Sequence, residues 1–307
     1  MDLVIIRVLA GVGVLVSCWV SISAESMSSL SGSQSLPISA LYPSTCQANS
    51  PLTAYLLYSS GAYLNPAVTL AFCLYRGLPW RRFPMYFVAQ FLGGFLASGV
   101  VYINYIDSID NYAGHGVRTV PPAAGATAQI FCTYPQAYLT KASQFFSEFI
   151  ASTILIFVIF ALKDNSNTGG IRGDANFFPL ALFFLIFGLG ACFGWQTGYA
   201  INLARDFGPR LMSYAVGYGD EVWSAGGYYF WIPMVAPFCG TIFGGFLYDV
   251  SIYTGPESPI NSPWMGLKHI IRPDRALQKR WGMREQEVPD GVMGGYQDPE
   301  AAEGVKA

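Results

Sequence analysis

Apolar positions along this chain fall into blocks rather than into strict alternation. Four blocks are long enough to read as spans: 83–104 ("FPMYFVAQFLGGFLASGVVYIN"), 144–162 ("QFFSEFIASTILIFVIFAL"), 177–197 ("FFPLALFFLIFGLGACFGWQT") and 229–252 ("YFWIPMVAPFCGTIFGGFLYDVSI"). A helix needs about 20 apolar residues to cross a hydrocarbon layer of roughly 30 Å. Two further stretches are too short for that. From Pro66 to Tyr75 there are ten residues before Arg76, Gly77 and Pro79; ten residues at about 1.5 Å each cover roughly 15 Å, half a span. Asn65 is a good helix cap, and Pro66 suits the first helical position, where its missing N–H would be unpaired anyway. The second short stretch is 198–214, "GYAINLARDFGPRLMSY", with Asn202 at the cap and Leu203 where Pro66 stood. Three spans separate the two Asn residues, an odd number, so two half-spans dipping into a membrane enter from opposite faces. That pattern predicts an inverted repeat whose half-helix N-termini meet near the midplane. Small residues ("GGFLAS", "GLGACFG", "GTIFGG") recur along the spans and let backbones approach closely.

The remaining stretches are polar. They are a long connection at 105–143, a shorter one at 163–176 ("KDNSNTGGIRGDAN") and a Pro-, Gly- and charge-rich end at 256–307, which reads as a mostly disordered tail. Residues 3–22 have two readings: a first span carrying one Arg, or a signal peptide with a small-residue cleavage site in "SISA". Lys and Arg set the orientation. Arg76, Arg81 and Arg82, then Lys163 and Arg172, then Lys268, Arg272, Arg275, Lys279, Arg280 and Arg284 all fall on one side of the alternating spans. That side is expected to be cytoplasmic, with 105–143 outside. The basic tail reads as a solvated segment obeying this bias; binding to anionic lipid is the other reading.

Composition agrees with a membrane setting. Of 307 residues, 52% are hydrophobic and only 12% charged, against about 25% charged in soluble domains. A net charge of −2 offers no basic surface for nucleic acid. Cys18, Cys73, Cys192 and Cys239 lie in apolar runs and read as buried small hydrophobes. Cys46 and Cys132 lie in polar connections, where pairing is open. No metal-type spacing occurs, and His115 and His269 sit in a connection and in the tail. The chain is therefore expected to be no enzyme and to use no cofactor or metal.

Two Asn-led boxes, the first with "SGAYLNPAVTLAF" and the second with "GYAINLARDFGPRLMS", resemble the major intrinsic protein family, and "FCTYPQAYLTKASQFFSEFIAS" and "WIPMVAPFCGTIFGGFLYD" are similar to it as well. Asp206 after Arg205, the following "GPR" and Pro233 narrow the resemblance to aquaglyceroporins. The likeness in these motifs covers roughly 59–255. It departs from the family in the Asn-Leu-Ala of the second box and in residues 1–58, where the family's first two spans, with a Glu in the first, find no clear counterpart. The resemblance implies an all-α, polytopic membrane bundle with two re-entrant half-helices. It divides the chain into an atypical N-terminal region (1–58), a channel domain (59–255) and a cytoplasmic tail (256–307).

The resemblance also implies roles. Asn65 and Asn202 would donate side-chain amides to a passing hydroxyl. Arg205 would be the donor fork of a selectivity filter, Tyr199 its aromatic wall and Gly190 the position whose missing side chain widens it. The aromatic expected on the fourth side would fall at Thr45, where the match is poor. Pro66, Ala67, Leu203 and Ala204 complete the boxes as structural neighbours of the pore. Asp206 is expected to brace the loop rather than touch solute. Glu148 is expected to be satisfied by N–H groups of a re-entrant loop. Other readings stand beside these: a plain cap for each Asn, a surface Arg205–Asp206 pair, and helix packing for Gly190. The expected function is a passive channel for glycerol and other small neutral polyols, with some water, in a homotetramer among plasma-membrane lipids. The alternatives are a non-conducting membrane protein derived from such a channel, or a channel whose N-terminal gene model is misassembled.

Overall fold

A computed structural model of the chain describes residues 63–164, 178–253, 258 and 260. Residues 1–62, including the possible span at 3–22, Thr45 and Cys46, and nearly all of the tail lie outside the described residues. Every regular element among the described residues is helical. In chain order they are α1 (Pro66–Tyr75), α2 (Phe83–Ala113), α3 (Lys141–Lys163), α4 (Phe178–Thr197), α5 (Leu203–Ser213), α6 (Glu221–Tyr228) and α7 (Ile232–Ser251). Four stretches, Trp80–Ala113, Lys141–Lys163, Phe178–Thr197 and Glu221–Ser251, are long and apolar enough to cross a membrane.

Both short helices form where the Asn caps predict them. The 83–104 span runs further, to Ala113. Residues 105–113 continue the helix because Ile109 stays fully buried while Asp107 and Asn111 face outward, so the extension is amphipathic. Gly114 ends it at φ 103°, a conformation that favours glycine. At the far end of the connection, Thr140 caps α3 by accepting a hydrogen bond from the Ser143 N–H at 3.2 Å.

Burial is inverted relative to a water-soluble protein. Val88, Leu92, Leu96, Val100 and Ile103 form an exposed stripe along α2, and Val235, Ile242, Phe243, Phe246 and Val250 are exposed on α7. Glu148, Asp206 and Arg210 are instead fully buried, each 0% exposed. An apolar exterior over a charged interior suits lipid as the solvent.

The short helices lie at the centre, each held by a long helix from the opposite half. Against α5, Gly94 of α2 lies so close that a Cβ there would collide with the Ala204 carbonyl. Gly208 of α5 meets Phe91 O and Phe95 N of α2 in the same way. Against α1, Thr241 of α7 donates its hydroxyl to Ala67 O at 3.1 Å. Ala67 and Ala204 are equivalent positions in the two boxes, and both are buried at 0–1% exposure, with a residue of a long helix close against the carbonyl of each. Along α7, Gly240 and Gly244 press on the carbonyls of Phe149 and Thr153 in α3. Close helix approach through small residues is the expected packing mode in lipid.

Candidate functional site

The two half-helices meet N-terminus to N-terminus, and their caps are tied to each other. Asn65 (φ −140°, ψ 121°) and Asn202 (φ −154°, ψ 116°) are both extended, as helix caps should be. Asn65 Oδ1 accepts the Ala67 N–H at 2.9 Å. Asn202 Oδ1 accepts the Ala204 N–H at 2.9 Å and the Arg205 N–H at 3.4 Å. Across the junction, Asn65 Nδ2 donates to Ile201 O at 2.8 Å, and Asn202 Nδ2 donates to Leu64 O at 2.9 Å. Each amide thus binds the carbonyl just before the other Asn. An amide NH₂ carries two hydrogens, so each cross-link leaves one N–H directed elsewhere. Both Asn residues are 6% exposed.

The loops entering the boxes are strained. Leu64 (φ 55°) and Ile201 (φ 42°) precede the two Asn residues in the left-handed region, and Tyr199 (φ 38°) joins them. Such conformations cost roughly 1–3 kcal/mol per non-glycine residue, and for a β-branched residue like Ile201 they are outliers. The strain turns the Leu64 and Ile201 carbonyls towards the opposite cap, away from their own helices.

Glu148 is what holds the second loop. Its Oε1 accepts from Thr197 Oγ1 at 2.6 Å and from the Ala200 N–H at 2.9 Å, and its Oε2 accepts from the Ile201 N–H at 2.7 Å. The Tyr229 hydroxyl lies 3.3 Å from both Glu148 Oε1 and Thr197 O. A carboxylate in a span is costly unless its lone pairs are filled; here the re-entrant backbone fills them.

Asp206 does not pair with Arg205. It faces Arg210, one turn on, with Arg210 Nε at 2.9 Å from its Oδ1 and Nη2 at 3.2 Å from its Oδ2. Spacing of four residues on one helix places the two side chains on the same face. Thr133, in the connection after α2, donates to Asp206 Oδ2 from its backbone N–H at 2.8 Å and from its hydroxyl at 2.5 Å. Arg210 in turn donates to Thr133 O at 2.5 Å and Val222 O at 2.8 Å, with the Tyr134 ring 4.8 Å from its guanidinium carbon. Asp206 therefore links α5 to the connection between α2 and α3. Arg210 and Thr133 are the members of this network that sequence reasoning missed. The Asp206–Arg210 spacing was a readable signal for the first; nothing local pointed to the second.

The remaining candidates are mostly buried. Tyr199 is 1% exposed, Leu203 5% and Ala204 1%. Pro66 and Gly190 are buried, the latter on α4, and Arg205 is half-buried. Cys132 is buried, with its sulfur 3.7 Å from Ala128 O and 3.3 Å from Tyr134 Oη. Burial pushes its thiol up to about 11, so it stays protonated at neutral pH.

Comparison with known proteins follows the same lines. The family profile described as "Major intrinsic protein" matches residues 5–248, so the likeness begins well before the motifs of the first box. The chain is 64% identical over 226 residues to "Probable aquaglyceroporin-2" of Gibberella zeae, which covers 73% of this chain and 66% of that protein. It is 63% identical over 221 residues to "Aquaglyceroporin-9" of Botryotinia fuckeliana, covering 72% and 47%. An aquaporin of Laccaria bicolor is 48% identical over 202 residues, covering 66% of this chain and 74% of that one. This chain thus spans under two thirds of the length of the first pair. Among solved structures, the X-ray structure of the aquaglyceroporin from Plasmodium falciparum superposes with a TM-score of 0.66 at 24% identity, covering 80% of this chain and 95% of that one, and so shares the fold.

Proposed function

The chain belongs to the major intrinsic protein family, and on that footing we propose that it is a passive membrane channel of the aquaglyceroporin type, carrying glycerol and other small neutral polyols with some water. The observation that carries this reading is the reciprocal cross-link of Asn65 and Asn202. It presents two amide N–H groups, and behind each the positive end of a half-helix, at one point inside a membrane protein. Each helix N-terminus is equivalent to roughly half a positive charge. A hydroxyl oxygen accepts hydrogen bonds there, while a cation is repelled. A water held by two donors points its own hydrogens away from the junction, which interrupts a proton relay.

In this reading Arg205, Tyr199 and Gly190 form the filter on the outer side of the junction. Arg205 donates a fork of hydrogen bonds to adjacent hydroxyls, Tyr199 covers the carbon side of the solute, and Gly190 leaves room for it. Two relatives bear the name aquaglyceroporin, which favours polyols over bare water. The same proposal includes residues 59–255 as the channel domain, a homotetramer in the plasma membrane and a cytoplasmic tail, the last motivated by the one-sided distribution of Lys and Arg.

The test is uptake of radiolabelled glycerol by cells lacking glycerol channels and expressing the chain with a tag after Ala307. Uptake well above empty-vector cells is expected, with the tag detected only after permeabilisation. Uptake no faster than empty-vector cells, with protein in the plasma membrane, supports the non-conducting alternative. A tag labelled on intact cells reverses the proposed orientation.

A further inference from the structure

Thr133 has two arms, and each touches a residue adjacent to a filter position. Its hydroxyl donates to Asp206, the residue after Arg205, at 2.5 Å, and its backbone N–H reinforces that bond at 2.8 Å. Its methyl side packs on Gly198, the residue before Tyr199: a Cβ built on Gly198 would lie 3.1 Å from Thr133 Cγ2 and 3.2 Å from its Cβ. Gly198 sits at φ 76°, so the chain turns sharply there with Thr133 filling the place of a side chain. Thr133 is itself 5% exposed, and its carbonyl accepts from Arg210. A second link runs beside it, from the Gln136 N–H to Gln196 O at 2.9 Å. The connection at 114–140 therefore reaches inward and grips the second box from outside, with Thr133 at the point of contact.

We infer that Thr133 is a positioning residue for the filter, setting the distance between Tyr199 and Arg205 through its contacts with Gly198 and Asp206. This inference rests on the channel reading above and deepens it. Asp206 and Arg205 share the first turn of α5, so a carboxylate that rotates or shifts carries the backbone of Arg205 with it. Removing the hydroxyl leaves a lone pair of a fully buried carboxylate without its donor, and such a group rearranges to recover one. Asp206 then moves towards Arg210, its other partner. A filter that selects by diameter and by the placement of donors responds to displacements of this kind. Glycerol engages the aromatic wall and the Arg fork together, whereas a water molecule uses one donor at a time. A change in their spacing therefore falls more heavily on glycerol.

The experiment compares glycerol and water permeability of the full chain in the same proteoliposomes. Thr133→Val keeps the shape and removes the hydroxyl. Thr133→Ser keeps the hydroxyl and the Cβ that packs on Gly198 and loses only the methyl, so it is the conservative rescue of the Asp206 arm. The ratio of glycerol to water permeability is expected to fall at least about threefold in Thr133→Val and to stay within about twofold of wild type in Thr133→Ser. With the permeability of empty vesicles subtracted for each solute, the ratio is independent of how much protein is reconstituted, so a loss of folded protein alone does not move it. Should Thr133→Val fail to enter vesicles, Thr133→Cys, with a weak S–H donor in place of the hydroxyl, is read by the same ratio and the same threshold. A wild-type ratio in the hydroxyl-free variant, a rise in that ratio, or an equal fall in Thr133→Ser overturns the inference. Wild-type vesicles no more permeable to glycerol than empty ones overturn the channel reading and the inference together, and conducting wild type with an unchanged variant ratio overturns the inference alone.

Discussion

The two half-helices share one cap geometry and are supported in opposite ways. α1 is apolar: Pro66, Ala67, Val68, Ala71, Phe72 and Cys73 are all buried, and Gln90 and Thr241 hydrogen-bond to it through neutral groups. Thr241 bonds Ala67 O, and Gln90 Nε2 donates to Thr69 Oγ1 at 3.1 Å, while Thr69 donates to Asn65 O at 2.9 Å. Charge enters towards its far end, where Lys163 Nζ lies 5.0 Å over the Phe72 ring, and Arg76 pairs with Asp249 at 2.8 Å and lies 4.0 Å over both Phe160 and Tyr253. α5 is polar at its centre, with Asp206 and Arg210 wholly buried, and its entry loop is held by a second carboxylate, Glu148. The lesson is that cap geometry alone does not dictate how a half-helix is anchored. The first relies on close apolar packing. The second uses ionic hydrogen bonds that also reach the connection between α2 and α3, next to the proposed filter.

The largest expected effect separates these two modes of anchoring. Arg210→Met removes the guanidinium and leaves Asp206 charged and buried against Thr133. Breaking a buried ion pair from one side costs about 3–5 kcal/mol, more than its net worth, because the other charge is stranded. The variant is expected to melt far below wild type in detergent and to reach the membrane poorly. Adding Asp206→Asn to it should recover part of the loss, since the stranded charge is gone. A single variant with the wild-type melting temperature would show that α5 is held by packing, as α1 is.

A smaller effect tests the loop rather than the helix. Glu148→Gln preserves size and one acceptor but puts an NH₂ donor against the N–H groups of Ala200 or Ile201. Leaving a buried N–H unpaired costs about 1–3 kcal/mol. The strained Tyr199 and Ile201 then lose part of their hold. Glycerol flux per folded channel should fall roughly tenfold, which corresponds to about 1.4 kcal/mol of added barrier. Flux equal to wild type in reconstituted vesicles would show that the loop keeps its shape without the carboxylate.

The sequence made the apolar half of this comparison easier to read than the polar half. The bounds of α1 follow from Asn65, Pro66 and the Arg-Gly break after Tyr75, all local signals. Glu148 in an otherwise apolar span demanded buried donors, and a re-entrant loop was the available source. The polar face of α2 beyond residue 104 was legible only as a connection, because its hydropathy falls while its buried stripe continues through Ile109. Arg205 and Asp206 are adjacent in the chain, yet helix geometry sends Asp206 to Arg210 instead. Thr133 lies 73 residues from Asp206, a separation at which no local pattern speaks. Polar networks are made of such long-range pairs, so they emerge only once the backbone is placed.

The smallest expected effect makes the second box like the first. Leu203→Pro gives α5 the same first residue as α1. The backbone already accommodates it: Asn202 at φ −154°, ψ 116° has the extended conformation that a following proline requires, as Asn65 does before Pro66. Nor does the cap depend on the Leu203 N–H, because Asn202 Oδ1 accepts from Ala204 and Arg205. Two opposing terms then decide the outcome. Proline reduces the freedom of the unfolded chain, which stabilises by about 0.4–1 kcal/mol where the native conformation fits. Against this, Leu203 is only 5% exposed, and the proline ring is smaller by one carbon, a loss of about 0.8 kcal/mol per buried CH₂. The terms nearly cancel. Glycerol flux should stay within about twofold of wild type, because the junction of Asn65 and Asn202 contains neither the N–H nor the side chain being changed. Complete loss of transport with protein still in the membrane would mean that the Leu203 side chain itself holds α5 in register, and that the second half-helix depends on packing the first does not need.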